Sequence, residues 1–285
     1  MATTLSSDGV SVALHDLGGN GRPLLISHAT GFHGRAYGPV AEALHDVFHS
    51  VALDYRGHGD TPQPTGVPTD WERYGDDATA AARTLPVPSA GFGHSMGGAC
   101  LLMAAHREPQ RFRGLVIYEP IVFPQLDGRS DGGGQTQDEH NGGSLLAVGA
   151  RRRRATFDSY DAALANFAGK PPMNQFDPAA REAYVLHGFR KDDDGQVHLK
   201  CVPDLEAATY DMGGRHATWN ALAEIDVPVL VIAGRPDPGT PAGLAAQISD
   251  QLPGGRYLQL DDLGHFGPMT HPRLVADVIR EFLAQ

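Results

Sequence analysis

The sequence is poor in cysteine, because Cys100 and Cys201 are the only two among its 285 residues. So few cysteines cannot build a disulfide scaffold, and this usage is typical of proteins from reducing compartments. The N-terminal residues lack the basic start and apolar core of a secretory signal, and the chain lacks any run of about 18 apolar residues that could span a membrane. We therefore predict a cytoplasmic protein.

Positive charge is also scarce. The 23 Lys and Arg residues are outnumbered by 34 Asp and Glu residues, which gives a formal net charge of −11 at pH 7. Such a surface repels phosphate backbones and anionic lipid, so we expect neither nucleic acid nor a membrane as a partner. The four arginines at 151–154 are interpreted as a solvated helix start. The expected partner is a small-molecule substrate, and a homo-oligomer is left open.

Motifs for metals and nucleotide cofactors are missing from the sequence. It contains no H-E-x-x-H motif and no cluster of Cys and His at zinc-ligand spacing, so no metal is expected. It also contains no G-x-G-x-x-G after a strand pattern and no G-x-x-x-x-G-K-[ST]. We therefore expect the protein to work without a cofactor.

What the sequence does contain is a series of short apolar runs separated by helical patterns. The runs that predict buried strands are residues 24–27, 51–54, 90–93, 115–118, 227–233 and 257–260, and residues 10–17 predict an earlier edge strand. Helical patterns cover residues 97–107, 242–252 and 272–283. This alternation predicts an α/β fold with a mostly parallel central sheet covered by helices on both faces.

The alternation stops in the middle of the chain, between residues 125 and 215. No run there predicts a buried strand, a Gly- and Asp-rich stretch predicts a loop, and residues 155–167 and 177–189 predict helices. We interpret 125–215 as a helical cap inserted into a core domain made of 1–124 and 216–285. Such an insertion is expected over the carboxyl ends of the strands, where open α/β sheets bind ligands.

The segment GHSMGG at residues 93–98 matches the pattern G-x-S-x-G between a predicted strand and a predicted helix. In this setting a sharp turn strains the backbone of the serine and exposes its oxygen, and small residues let the neighbouring backbones pass. The helix N-terminus that follows favours negative charge beside the serine. Ser95 is therefore the predicted nucleophile.

A serine needs a base to attack near neutral pH, and a carboxylate must orient that base. Among 14 histidines, His265 is selected because it lies between the last predicted strand and the last predicted helix, at the same sheet edge as Ser95. Two carboxylates, Asp237 and Glu119, each follow a predicted strand. Asp237 is the favoured acid, because the order Ser95, Asp237, His265 is expected for this architecture, and Glu119 is the alternative.

Four landmarks together resemble the α/β-hydrolase family over almost the whole chain. They are SHATGF at 27–32, which resembles the His-Gly oxyanion loop; DYRGHGDT at 54–61, which resembles the family's D-x-R-G-H-G-x-S turn; the G-x-S-x-G segment; and the acid and base loops at 234–237 and 264–265. The resemblance implies an α/β-hydrolase fold, a helical cap, and an oxyanion hole made by the backbone N–H groups of Thr30 and Met96. Ala29 departs from the family's usual glycine. Relatives that cleave halides or epoxides carry Asp as the nucleophile, and Ser95 argues against both chemistries.

Residues beside these motifs are candidates for substrate binding: Phe32, His33, His94, Phe123 and Trp219. Phe32 ends the segment that resembles the oxyanion loop, His33 follows it, His94 precedes the predicted nucleophile, and Phe123 and Trp219 border the insertion. Aromatic residues of the insertion are expected to make the pocket apolar.

The sequence therefore predicts a serine hydrolase that cleaves a carboxylic ester or lactone of a small apolar substrate through an acyl-enzyme intermediate. Two alternatives stay open. Relatives with the same triad hydrolyse C–C bonds or act as cofactor-free, haloperoxidase-like perhydrolases. A hydrolase scaffold can also serve as a non-catalytic ligand-binding protein, because fold does not fix function.

Overall fold

The backbone is organised around one large sheet. The computed structural model describes residues 1–68, 70–124, 144–237 and 240–284. The strands in these ranges are β1 (Ala2–Leu5), β2 (Ser11–Gly18), β3 (Arg22–Ser27), β4 (Phe48–Leu53), β5 (Ser89–His94), β6 (Phe112–Tyr118), β7 (Thr156–Phe157), β8 (Phe189–Lys191), β9 (Val197–Leu199), β10 (Val229–Gly234) and β11 (Gly255–Leu260). The α-helices are α1 (Gly38–Glu42), α2 (Trp71–Arg83), α3 (Met96–Arg107), α4 (Leu145–Arg151), α5 (Tyr160–Ala168), α6 (Pro178–Gly188), α7 (Pro203–Asp211), α8 (Thr218–Ala221), α9 (Ala245–Gln251), α10 (Gly267–Thr270) and α11 (Pro272–Leu283).

Eight strands form the large sheet, in the order β1-β2-β4-β3-β5-β6-β10-β11. The strands β1 and β2 are antiparallel to their neighbours, and the other six run parallel to one another. Strands of a parallel sheet are covered on both faces, and accordingly every residue of β5 and of β10 is buried. The predicted α/β fold is confirmed, and each of the six predicted core strands is present.

Helices cover both faces of this sheet. One apolar cluster packs α2, α3 and α9 against one face, and a second packs α1 and α11 against the other. The helix α11 explains the amphipathic pattern at 272–283, because the residues buried along it recur at helical spacing: Val275, Ala276, Ile279 and Leu283. No helix of the described ranges has the length and apolar character needed to cross a lipid bilayer.

The sheet register determines which chain segments meet at its carboxyl edge. In β3 and β5, Ser27 pairs with Gly93, and in β5 and β6, His94 pairs with Tyr118. These four residues are the last or the next-to-last of their strands. The loops that leave these strands therefore start side by side, which is the arrangement that the sequence analysis needs for a shared site.

The segment between β6 and α8 lies outside the large sheet. Its described part, 144–215, contains α4 to α7 and a small antiparallel sheet in the order β7-β9-β8. The sequence predicts helices here and no buried strands, with the arginines 151–154 at a helix start and a helix over 155–167, but α4 ends at Arg151. Instead β7 occupies 156–157, and α5 begins only after Ser159, whose side chain accepts the N–H of Ala162 as an N-cap. The loop expected at 127–143 and residue 125, where the insertion is expected to begin, lie outside the described residues.

Candidate active site

Ser95 lies in the turn between β5 and α3, in a backbone conformation that side chains rarely adopt. Its φ is 55° and its ψ is −117°, a combination that costs energy for any residue except glycine. Neighbouring backbone holds it there, because its N–H donates to Tyr118 O at 2.9 Å. A Cβ at Gly93 would lie 2.7 Å from Gly97 O, and one at Gly97 would lie 2.3 Å from Ser27 O. Both glycines of the motif are therefore required by close backbone approach.

Glu119, and not an aspartate, holds the imidazole of His265. Its Oε2 accepts a hydrogen bond from His265 Nδ1 at 2.6 Å, and its Oε1 accepts the backbone N–H of Gly234 at 2.8 Å. The carboxylate is fully buried, and Glu119 has a φ of 44°, so it shares with Ser95 a strained backbone. The two strained residues follow β5 and β6, which are neighbours in the sheet.

The contact with the carboxylate determines which nitrogen of the His265 ring carries a proton. A carboxylate oxygen can only accept, so Nδ1 carries a proton, and when the ring has a single proton Nε2 keeps a lone pair. The ring of His94, the residue before Ser95, lies 5.0 Å from the ring of His265 between centroids. Within the described ranges no hydrogen bond joins Ser95 Oγ to His265 Nε2, a contact that is often long in unliganded enzymes. The hydroxyl, the imidazole and the carboxylate thus belong to one edge of the sheet.

Asp237 occupies a different position from the one the sequence analysis gives it. It lies three residues beyond the end of β10, in an exposed loop, and the acidic group on His265 Nδ1 is that of Glu119. The end of β10 contributes the backbone N–H of Gly234 instead of a carboxylate. The preference for Asp237 over Glu119 therefore has to be reversed. The order in the chain is still nucleophile, acid, base, because Glu119 also lies between Ser95 and His265.

The loop after β3 brings a second set of backbone groups to this edge. Thr30 is 7% exposed, and Met96 is the first residue of α3. Neither backbone N–H donates to another group in the part of the chain that the structure describes. The carbonyl group of the peptide bond before Thr30 is held by a hydrogen bond, since Ala29 O accepts from His28 Nδ1 at 2.8 Å. Burial lowers the pKa of His28 to about 3, so this ring stays neutral.

Comparison with known proteins agrees with this geometry. The family model described as the alpha/beta hydrolase fold matches residues 22–272. The chain belongs to the alpha/beta hydrolase fold family. BpoC of Mycobacterium tuberculosis, whose name assigns it provisionally as a non-heme bromoperoxidase, is 28% identical over 275 residues, which are 95% of this chain and 97% of that protein.

Two further similarities place esterases and other hydrolases among the relatives. A pimeloyl-[acyl-carrier protein] methyl ester esterase of Neisseria meningitidis is 25% identical over 273 residues, 92% of this chain and 93% of that protein. The crystal structure of E-2-(acetamidomethylene)succinate hydrolase superposes with a TM-score of 0.76 at 21% identity, covering 99% of this chain and 98% of that one. The structural likeness shows the fold.

An aromatic cluster lies beside His265. The ring of Phe32 lies between 5.2 and 6.1 Å from the rings of Phe176, Tyr184 and Phe266. Phe266 in turn lies 5.4 Å from the ring of His265. Phe176 and Tyr184 belong to the insertion, so the cluster joins the insertion to the loop after β3 and to the loop of His265. Phe32 is predicted as a substrate contact, and Phe176 and Tyr184 are among the aromatic residues of the insertion that are expected to make the pocket apolar, whereas Phe266 is not predicted from the sequence.

The other substrate-binding candidates have different surroundings. His33 is 3% exposed, and its Nε2 donates to Tyr184 O at 3.2 Å, so it fastens α6 to the core. Burial lowers its pKa to about 4. His94 is fully buried behind the nucleophile. Phe123 packs against Gly214, and Trp219 is half-buried against the apolar cluster that includes α3.

One group of potential metal ligands lies away from Ser95. In the described ranges, His15, Asp54 and Asp60 come close enough to share an ion. However, Asp54 Oδ2 already accepts from His15 Nε2 at 2.7 Å, and Lys200 Nζ lies 2.5 Å from Asp60 Oδ1. Arg35 Nε donates to His15 Nδ1 at 3.0 Å. Because the cationic side chains of Lys200 and Arg35 already contact atoms that could bind a metal ion, the arrangement suits an ion-pair network rather than a cation site.

Proposed function

We propose that this protein is a serine hydrolase that cleaves a carboxylic ester or lactone of a small apolar substrate through an acyl-enzyme. The observation that carries the proposal is the buried Glu119 carboxylate, 2.6 Å from His265 Nδ1, beside the strained Ser95. A serine at a strand-to-helix turn is activated by an imidazole that takes its proton and by a buried carboxylate that orients the imidazole.

In the first half of the proposed reaction, Ser95 Oγ forms a bond to the substrate carbonyl carbon while His265 Nε2 takes the hydroxyl proton. The carbonyl oxygen becomes an oxyanion, which the backbone N–H groups of Thr30 and Met96 stabilise. Each such donor is worth about 3 kcal/mol of barrier. The tetrahedral intermediate collapses as the carbon–alkoxide bond breaks, and the proton on His265 passes to the leaving alkoxide. Glu119 stabilises the imidazolium that exists between these two transfers.

In the second half, water replaces the alcohol. His265 Nε2 takes one proton of a water molecule, whose oxygen attacks the acyl carbon. Collapse of the second intermediate breaks the bond to Ser95 Oγ, and the proton on His265 returns to that oxygen. The products are a carboxylic acid and an alcohol, or one hydroxy acid from a lactone.

We assign the insertion as a cap over this site and the aromatic cluster as its apolar wall. The rings of Phe176 and Tyr184 meet Phe32 at the oxyanion loop, and the N–H of Asp177 donates to Met269 O at 2.9 Å. These contacts support an apolar acyl or alcohol group as the part of the substrate that is recognised, because aromatic walls bind by burial of apolar surface.

A panel of p-nitrophenyl esters of increasing acyl length tests the proposal. The wild-type protein is expected to release p-nitrophenol, and Ser95→Ala is expected to lower kcat by about 10⁶-fold while the protein stays folded. Ser89→Ala, at the other end of β5, is the matched control and should keep full activity. A Ser95→Ala variant as active as wild type would contradict the mechanism.

A second candidate activity is favoured by the likeness to BpoC, whose name points to bromoperoxidase chemistry. The same acyl-enzyme could be attacked by hydrogen peroxide instead of water, which would release a peracid able to oxidise bromide. Bromination of a dye in the presence of acetate, peroxide and bromide is the test. Loss of that activity in Ser95→Ala would assign it to the same site, and its absence in wild type would exclude this candidate under those conditions.

A further inference from the structure

Two buried side chains link the oxyanion loop to the loop of the base. The backbone N–H of Ala29 donates to Tyr37 Oη at 3.0 Å, and Tyr37 Oη lies 2.8 Å from His94 Nδ1. On the far side of the same ring, His94 Nε2 lies 2.8 Å from the backbone carbonyl oxygen of His265. A continuous line of three hydrogen bonds thus runs from the residue before Thr30 to the base itself.

The direction of each hydrogen bond follows from the chemistry of its partners. A carbonyl oxygen only accepts, so His94 Nε2 carries the proton and donates to His265 O. Burial lowers the pKa of His94 well below its ordinary value, which keeps the ring neutral and leaves Nδ1 as an acceptor. The hydroxyl of Tyr37 therefore donates to Nδ1, while its oxygen accepts from Ala29. Each hydrogen-bonding group of the two side chains is used once in a single, self-consistent pattern.

The two residues are out of reach of a substrate. Both Tyr37 and His94 are 0% exposed. His94 is also the residue directly before the nucleophile, so its ring is anchored to β5 through its own backbone. The three loops that must keep a fixed spacing during catalysis therefore share one rigid support.

We infer that Tyr37 and His94 are positioning residues, which fix the Thr30 loop and the His265 loop at a common distance from Ser95. This inference rests on the proposed function and adds two residues to it. The physical reason is that an oxyanion donor or a base displaced by about 1 Å can cost about a hundredfold in rate. A role in stability alone would instead lower the amount of folded protein without changing the turnover of the molecules that remain folded.

Tyr37→Phe is the first test, because it removes one hydroxyl and leaves the ring in place. The turnover of p-nitrophenyl acetate per folded molecule is expected to fall about ten- to a hundredfold in kcat, with KM within about twofold of wild type. Tyr74→Phe is the matched control, since it also removes a buried hydroxyl, which bonds Thr209 Oγ1 at 3.0 Å. This control is expected to lose stability and to keep the kcat of wild type.

Two variants at His94 test the bond to the base. His94→Gln keeps a donor at the position of Nε2 and is expected to retain kcat within about fivefold, whereas His94→Leu keeps neither bond and is expected to lose about a hundredfold. The rate of phosphonylation of Ser95 by a fluorophosphonate should fall in the same order. If His94 only filled space, His94→Leu would keep as much kcat as His94→Gln, because the two side chains have similar volumes.

The outcomes separate this inference from the proposed function. If wild type is labelled at Ser95 and Tyr37→Phe and His94→Leu are labelled and turn over as fast as wild type, the positioning role is wrong while the hydrolase proposal stands. If Tyr74→Phe loses kcat as strongly as Tyr37→Phe, the effect is general and the positioning role is again wrong. A wild-type protein with neither ester turnover nor labelling would overturn both.

Discussion

Replacing Glu119 by Gln should nearly abolish catalysis with little change in fold. Glutamine keeps an oxygen that can accept the N–H of Gly234, as Glu119 Oε1 does at 2.8 Å. Its amide nitrogen then faces His265 Nδ1 in place of the Oε2 that lies there at 2.6 Å. Because an amide nitrogen donates, Nδ1 must become the acceptor and Nε2 must carry the proton. A ring in that form cannot take the proton of Ser95.

The size of this effect can be estimated from the same chemistry in other triads. An amide in place of the orienting carboxylate costs about 10⁴-fold in kcat, which corresponds to about 5.5 kcal/mol of transition-state stabilisation. The matched control is Asp237→Asn, which makes the same chemical change in an exposed loop. A surface substitution of this kind changes energies by about 0.5 kcal/mol at most, so its kcat should stay within about twofold of wild type.

Steady-state hydrolysis of p-nitrophenyl acetate measures both variants, and circular dichroism and thermal unfolding show whether each is folded. The reasoning is refuted if Glu119→Gln is folded and keeps more than about a tenth of wild-type kcat. It is refuted more decisively if Asp237→Asn is the inactive variant, because the carboxylate on the imidazole would then be a different one from that in the structure.

Two further predictions concern the fold and its pH dependence. Gly97→Ala places a Cβ 2.3 Å from Ser27 O and should lower the free energy of unfolding by about 3 kcal/mol or more. In the control Gly38→Ala, the new Cβ meets no atom within 4 Å, so the free energy of unfolding should hardly change. Equal urea midpoints for the two variants would contradict the close backbone approach at Gly97. Burial holds His28 and His58 neutral in the folded protein, with pKa values of about 3 and about 4, while the unfolded chain binds these protons near pH 6.5. The unfolded state therefore binds more protons as the pH falls below about 6.5, and the free energy of unfolding should fall by about 1.4 kcal/mol per pH unit for each histidine down to about pH 4. Urea midpoints that do not change between pH 7 and pH 5 would show that these rings are not buried neutral.

The sequence predicts the sheet and the strand-to-helix turn at Ser95 well because both depend on local rules. Short apolar-rich runs are typical of strands in a covered sheet, and each of these runs became a strand, although no residue of the edge strand β11 is buried. The pattern around Ser95 is specific because the contacts of Gly93 and Gly97 leave no room for a side chain. The helix α2 is missed by the sequence analysis, although Asp70 caps its first turn by accepting the N–H of Glu72.

The choice of the acid could not be made from local patterns. Asp237 and Glu119 both follow a core strand, and the order in the chain admits either. What separates them is three-dimensional: β6 lies directly beside β5, a positive φ turns Glu119 inward, and the N–H of Gly234 binds its second oxygen. None of these features has a signature in a single sequence. The same is true of Tyr37, whose partners lie 8 and 57 residues further away along the chain.

The insertion shows a related limit. Its helix at Pro178–Gly188 agrees with the prediction for 177–189, because Asp177 is a clear N-cap that accepts the N–H of Ala179. The strands β7, β8 and β9 have only two or three residues each, too short for an alternating pattern to appear. The rings of Phe157 in β7 and Phe189 in β8 lie 5.8 and 6.0 Å from the ring of Phe167 in α5, and these contacts join residues that are far apart in the chain.

The most direct test of the central claim is to map the site of covalent labelling by a fluorophosphonate with intact and peptide mass spectrometry. The account predicts one phosphonyl group per chain, located on Ser95, with labelling strongly slowed in Glu119→Gln and unchanged in Asp237→Asn. No adduct on wild-type protein, or an adduct on a residue other than Ser95, would contradict the claim that His265 and Glu119 activate Ser95.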